Sequence, residues 1–116
     1  LDLKISNRRA LVTGGTKGIG AAIVATLAAQ GVKVITTSRS APEDLPEGIL
    51  HVACDLTTPE GCAILVEAIL EQWGGVDFII NSLGGSSAPA GGYAVLDDSI
   101  WFEELNLNLM SAVRID

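Results

Sequence analysis

Apolar residues along the chain fall into short blocks separated by glycine, proline and small polar residues. Arg9-Ala10-Leu11-Val12-Thr13 is apolar without alternation and stops at Gly14-Gly15, the pattern of a strand covered on both faces. In residues 18–30, Ile19, Ile23 and Leu27 recur every four positions, which predicts a helix with those three on its buried face. Gly31 ends it, because glycine takes the left-handed conformation cheaply. Residues 32–37 are rich in β-branched side chains and predict a second strand; Pro42 and Pro46 make 40–48 a connection. Residues 49–53 predict a third strand. Thr57 and Glu60 have capping-box spacing, and Pro59 suits a first turn. The helix that starts there carries Val66, Ile69, Leu70 and Trp73 on one face and ends at Gly74-Gly75. Residues 76–80 predict a fourth strand. Residues 82–96, rich in Gly, Ser, Ala and Pro, predict a long loop that either lines a pocket or is merely flexible. Asp97-Asp98-Ser99 can cap a last helix, on which Trp101, Leu105 and Ala112 share a face with Asn108.

Strands separated by helix-length segments imply an α/β fold, a doubly wound parallel sheet of about four strands with flanking helices. At 116 residues the chain fits one domain, or part of one. An apolar content of 48% is too high for disorder and enough for a core. No apolar stretch reaches the ~18 uninterrupted residues of a membrane span, and no basic stretch leads into a long apolar run as in a signal peptide. Cys54 and Cys62 lack CxxC spacing and His partners, so they predict buried thiols rather than a disulfide scaffold or a metal site, and a reduced, cytoplasmic setting. His51, without a ligand-spaced partner, reads as structural or surface, and Trp73 and Trp101 as core anchors. The net charge of −7 disfavours nucleic acid as a partner. The charge is uneven, however. Residues 1–40 hold six of the seven Lys and Arg side chains and a single acid, Asp2. That local excess is either ordinary surface charge or an attractor for a small phosphorylated ligand.

The placement of Thr13-Gly14-Gly15-Thr16-Lys17-Gly18-Ile19-Gly20 between a strand and a helix favours the ligand reading. Glycines permit a tight turn and close backbone approach to a diphosphate, and a helix N-terminus offers N–H groups and partial positive charge. The spacing is G-x-x-x-G-x-G, neither GxGxxG nor a P-loop.

This segment resembles the TGxxxGxG motif of the short-chain dehydrogenase/reductase family, whose fold is of the Rossmann type. The resemblance implies a nicotinamide dinucleotide cofactor, with Gly14, Gly18, Ile19 and Gly20 forming the diphosphate turn and Thr16 supporting it. At the end of the second strand, where an acidic residue would hold the ribose of NAD, stands Ser38-Arg39. An arginine accepts a 2′-phosphate that a carboxylate would repel, and Lys17 adds a second cation, so NADP(H) is expected over NAD(H). Asp55 and Leu56 stand where the family has an Asp and an apolar residue at the adenine. Asn81-Ser82-Leu83-Gly84 stands in place of NNAG, with Asn81 bracing the central sheet and Leu83 bulkier than the usual alanine. Asn108 matches the family's catalytic Asn, which helps hold a water in the proton relay; Asn106 fits the motif less well.

The family's proton-transferring Tyr-x-x-x-Lys does not occur: Tyr93 is followed four positions on by Asp97. The resemblance therefore covers nearly the whole chain but only the N-terminal half of the family's fold. It implies residues 1–116 of a single Rossmann domain whose C-terminal half is absent, as a trimmed, cleaved or partly reported segment. The parent would be an oxidoreductase of carbonyl or alcohol small molecules, a dimer or tetramer. Two rival readings remain: a non-catalytic NADP(H)-binding module, and a plain α/β interaction domain.

Overall fold

The computed structural model describes residues 4–83 and 97–115. Strands β1 (Arg9–Thr13), β2 (Lys33–Ser38), β3 (Leu50–Ala53) and β4 (Phe78–Asn81) form one sheet in the order β3-β2-β1-β4. Every pairing is parallel, with Thr13 opposite Thr37 on one side and Asn81 on the other. Helix α1 (Gly18–Ala29) links β1 to β2, and α2 (Pro59–Trp73) links β3 to β4. Beyond them lie α3 (Asp98–Leu105), a π-helical turn (Asn106–Met110) and α4 (Ser111–Ile115). This is a doubly wound, Rossmann-type architecture of four parallel strands with flanking helices.

The side-chain alternation of β1 divides the core between the two faces. Ala10 and Val12 pack with Val24 of α1 and with Val32 and Val34. Leu11 and Ile35 point the other way, into a cluster with Cys54, Leu56, Cys62, Leu65 and Ile69. Because helices cover both faces, Val34 to Thr37 of β2 are buried in succession, which is why this strand reads as a continuous run.

The helix faces differ from the sequence expectation. In α1, Gly20 and Val24 are the buried positions, with Ile23 and Leu27 partly buried against them. Ile19 is exposed. The helix meets the sheet end backbone to backbone: a Cβ on Gly20 would overlap the Gly14 carbonyl oxygen, and that contact rotates Ile19 outward. In α2 the buried residues are Gly61, Cys62, Leu65 and Ile69. Val66 and Leu70 are exposed. The close approach of Gly61 to the Asp55 carbonyl sets this rotation, since a Cβ there would overlap that oxygen. The N-cap is Thr58, accepting from the Gly61 amide at 3.0 Å, one residue beyond the expected Thr57. Gly74, at φ +75°, ends α2 as expected.

Strand β4 begins two residues later than its apolar run, because Asp77 is bound to Arg9. The Asp77 carboxylate accepts from the Arg9 amide at 2.8 Å and from its Nε at 3.2 Å, and the Asp77 amide donates to the Arg9 carbonyl at 2.8 Å. Asp97 caps α3 as expected, accepting from the Ile100 amide at 3.0 Å. Trp101 and Leu105 are exposed rather than core residues, since this helical segment meets α2 through its later part, where Ser111 is buried and Ile115 packs on the core. The expected loop at 82–96 lies outside the described residues from 84 onward, Tyr93 included. Among the described residues no helix is long and apolar enough to cross a membrane.

The two helix-face assignments predict opposite outcomes. Leu65→Ala, at a site with no exposure, should cost about 2–5 kcal/mol. Leu70→Ala, at an exposed position, should stay within about 0.5 kcal/mol. Urea unfolding of both variants checks this, and similar losses would contradict the observed helix rotation.

Candidate functional site

The site is built where β1 gives way to the glycine turn. Thr13, fully buried at the end of β1, ties this turn to the end of β4. Its Oγ1 accepts from the Ser82 and Leu83 amides, both at 3.2 Å. The Ser82 hydroxyl donates to the Thr13 carbonyl. Gly14 then turns at φ +67°, with its Cα face against the Leu83 backbone: a Cβ would come 3.1 Å from Leu83 Cα. A non-glycine residue would be strained there by conformation and crowded by backbone.

The N-terminus of α1 follows. Its N-cap is Lys17, no side chain caps it, and its first turn holds no acid. Helices α2 and α3 are capped by Thr58 and Asp97. Gly18, at φ +56°, faces open space. Uncapped N–H groups beside open space can receive an anion.

A cavity of about 950 Å³ lies outside the carboxyl ends of β1, β2 and β3. It borders the point where the strand order reverses between β1 and β4, the place where such sheets bind ligands. Gly14, Thr16, Lys17, Arg39, Asp55 and Leu56 all line it. Asp55 is held in place by Thr57, whose hydroxyl and amide donate to Asp55 Oδ1 at 2.6 and 2.9 Å. The Thr57 hydroxyl, then its amide, lower the Asp55 carboxyl pKa below the ordinary range, and the charge of Arg39 adds a smaller pull. Thr57, expected as a helix cap, thus serves the cavity instead. Leu56 is almost wholly buried, and its carbonyl accepts a weak bond from Cys62 Sγ.

The remaining candidates sit around the cavity without lining it. Gly18, Ile19 and Gly20 form the first turn of α1. Asn81 ends β4 beside Thr13. Asn108 is exposed rather than on an apolar face. It lies in the π-helical turn, where its Nδ2 donates to the Glu104 carbonyl at 2.9 Å and to Glu104 Oε2 at 3.2 Å. Asn106 and Leu107 line the cavity instead. Asn106 Nδ2 donates to the Thr57 carbonyl at 2.8 Å, and its Oδ1 accepts from Arg114 Nη1 at 2.7 Å.

Sequence reasoning missed Ser82, Thr57 and Asn106. A Thr directly before a glycine turn was the available signal for Ser82's role, and Asp55-x-Thr57 is the spacing of a side-chain turn. Nothing local marks Asn106, whose partners are 49 and eight residues away.

Cys54 and Cys62 are free and buried. Burial pushes the Cys54 thiol up to about 11, with Cys62 and Asp55 adding to the shift. Such thiols are poor nucleophiles at neutral pH. Burial lowers the His51 pKa, and His51 is hydrogen-bonded to Ser38. Among the described residues no group of His, Cys, Asp or Glu could hold a metal ion.

The lowered Asp55 pKa has a sign that can be checked. Its contribution to stability is present above the unfolded carboxylate value of about 3.9 and is lost as pH falls through the folded value. Thr57→Val removes the hydroxyl donor and keeps the amide. NMR titration of the Asp55 carboxyl carbon should then show a pKa closer to the ordinary value; an unchanged value would contradict the assigned cause.

A family model described as short chain dehydrogenase matches residues 8–115. The chain is 36% identical over 126 residues to the uncharacterized oxidoreductase YvaG of Bacillus subtilis, covering 99% of this chain and 46% of that protein. It is 35% identical over 119 residues to the 3-oxoacyl-[acyl-carrier-protein] reductase FabG of Vibrio cholerae, covering 97% and 48%. Among solved structures it is similar to the NADH-dependent reductase A1-R′ complexed with NAD, with TM-score 0.88, 28% identity, and coverage of 99% of this chain and 51% of that one. It is also similar to the L-sorbose reductase of Gluconobacter frateurii complexed with NADPH and L-sorbose, with TM-score 0.87, 30% identity, and coverage of 99% and 47%. The chain thus spans about half the length of these relatives. With the family model matching nearly its whole length, and the uncapped glycine turn standing at the switch point of a parallel sheet, the chain belongs to the short-chain dehydrogenase/reductase family.

Proposed function

We propose that the chain is the N-terminal, cofactor-binding part of an NADP(H)-dependent short-chain oxidoreductase. The reaction would pass hydride between the nicotinamide and a carbonyl or alcohol carbon of a small molecule. The reading rests on one observation above the others. Lys17 and Arg39 line one cavity at the carboxyl ends of β1 and β2, and no carboxylate stands at the end of β2.

The residues fit a dinucleotide by their chemistry. Gly14, Gly18 and Gly20 place no side chain at three positions of the turn, and the uncapped start of α1 offers N–H donors to the diphosphate. Thr16 supports that turn, and Ile19 stands exposed beside it. Lys17 and Arg39 are assigned to the 2′-phosphate. Asp55, kept ionised and oriented by Thr57, is assigned to the adenine amino group, and Leu56 stands beside it. Asn81 is assigned to bracing the sheet at the cofactor edge. Asn108 is assigned to the proton relay on its motif alone, and the relay's Tyr-x-x-x-Lys would have to come from outside these 116 residues. The bound cofactor supplies the hydride acceptor or donor; these residues bind and orient it.

NAD(H) is the second reading, and Glu43 favours it. This carboxylate also lines the cavity and could accept from ribose hydroxyls. Solved structures similar to this chain include one complexed with NAD and one with NADPH, so likeness does not choose between them. Without the tyrosine and lysine, binding without turnover would make the chain an NADP(H)-binding module. The substrate class, a homo-oligomeric parent and a cytoplasmic setting belong to the same proposal.

Fluorescence titration with NADPH and NADH tests the reading. NADPH should bind more tightly. Arg39→Ser removes a charged hydrogen bond of roughly 1.5–3 kcal/mol, so NADPH affinity should fall about ten- to a hundredfold while NADH affinity holds. Equal or tighter NADH binding by the unaltered protein would overturn the NADP(H) preference.

A further inference from the structure

Arg39 sits at the centre of a tight turn that a neighbouring strand holds from behind. Ser38, Arg39 and Ser40 line the cavity in succession. Ser38 Oγ lies 2.6 Å from the Ser40 carbonyl oxygen, closing the turn around Arg39. Ser38 Oγ also lies 2.7 Å from His51 Nε2. His51 comes from β3, where it pairs with Thr36, so Ser38 stands two positions along on the same face.

The proton inventory orders this chain of bonds. A carbonyl oxygen can only accept, so the single Ser38 hydroxyl hydrogen goes to Ser40. His51 Nε2 must then carry a hydrogen and donate to Ser38 Oγ. The direction runs from His51 Nε2–H to Ser38 Oγ–H to the Ser40 carbonyl. His51 is half-buried and does not line the cavity; it reaches a ligand only through this turn.

We infer that His51 is a positioning residue for cofactor selection, holding the Ser38–Arg39–Ser40 turn so that Arg39 meets the 2′-phosphate of NADPH. The inference rests on the proposed NADP(H) reading and adds to it a residue on a different strand. NADH has no 2′-phosphate, so its binding depends far less on where Arg39 points. His51 therefore acts on the ratio of the two affinities rather than on both equally.

The test is fluorescence titration of both cofactors with the full chain and three variants. His51→Leu removes the donor and should lower the NADPH-to-NADH affinity ratio at least fivefold. His51→Gln offers an amide N–H and should restore most of that ratio. Ser38→Ala breaks the link, so adding His51→Leu to it should change the ratio no further. An unaltered ratio in His51→Leu overturns the inference and leaves the NADP(H) reading standing. Equal weakening of both cofactors in the Leu and Gln variants marks a purely structural role and also overturns it. A wild-type protein with no preference for NADPH overturns the reading beneath it, and the inference falls with that reading.

Discussion

The site depends on how the end of β1 is tied to the end of β4. Thr13 is buried where the strand order reverses, and its hydroxyl and carbonyl take three hydrogen bonds from Ser82 and Leu83. A buried amide left without its acceptor costs about 1–3 kcal/mol, so these bonds define the position of the chain leaving β4. The Leu83 backbone then forms the surface against which Gly14 turns, and Gly14 in turn forms the surface that Gly20 meets. The position of the α1 N-terminus over the cavity follows from this series of backbone contacts. Each requires a small or absent side chain, which explains the clustering of glycine at this junction better than turn propensity alone.

The cations of the first forty residues divide by position along the sheet. Arg9 stands at the amino end of β1, where its guanidinium reaches Asp77 and donates to the Trp73 carbonyl at 2.9 Å. An exposed pair of this kind contributes little to stability through charge. Its backbone exchange with Asp77 instead sets the register between β1 and β4. Lys17 and Arg39 stand at the opposite, carboxyl end and line the cavity. Parallel strands make this separation possible, because every strand-to-helix turn opens on the same edge. In the second half of the chain, Arg114 is engaged by the Thr57 carbonyl and Asn106. That contact fastens α4 to the segment just before α2 and holds Asn106, which lines the cavity.

Strands and turns were readable from the sequence, whereas the helix faces were not. Gly31 and Gly74 end their helices at positive φ, and Asp97 caps α3, each through interactions within a few residues. The rotation of α1 and α2 depends on contacts with distant backbone, Gly20 on Gly14 and Gly61 on Asp55. A four-residue apolar period is satisfied nearly as well one position to either side, so Ile19 and Leu70 could be placed on the wrong face. The later helical segment shows the same limit: Trp101 and Leu105 have the periodicity of a buried stripe but are exposed, while Ser111 is buried.

By itself the sequence determined the order of elements, the parallel sheet and the glycine turn at a strand-to-helix junction. These follow from local rules: apolar runs, proline and glycine stops, and caps within one turn. It also determined that an arginine rather than a carboxylate directly follows the second strand. Only the tertiary structure decided that Lys17, Arg39 and Asp55 share one cavity, that Thr57 orients Asp55 instead of capping α2, and that His51 stands behind Ser38. The Thr57–Asp55 contact spans only two residues, and there the structure chose between two local partners. The shared cavity and the His51 contact need strand order and register, which bring together residues from different turns of the fold. Local pattern carries no information about such distances, because they are set by which strand lies next to which.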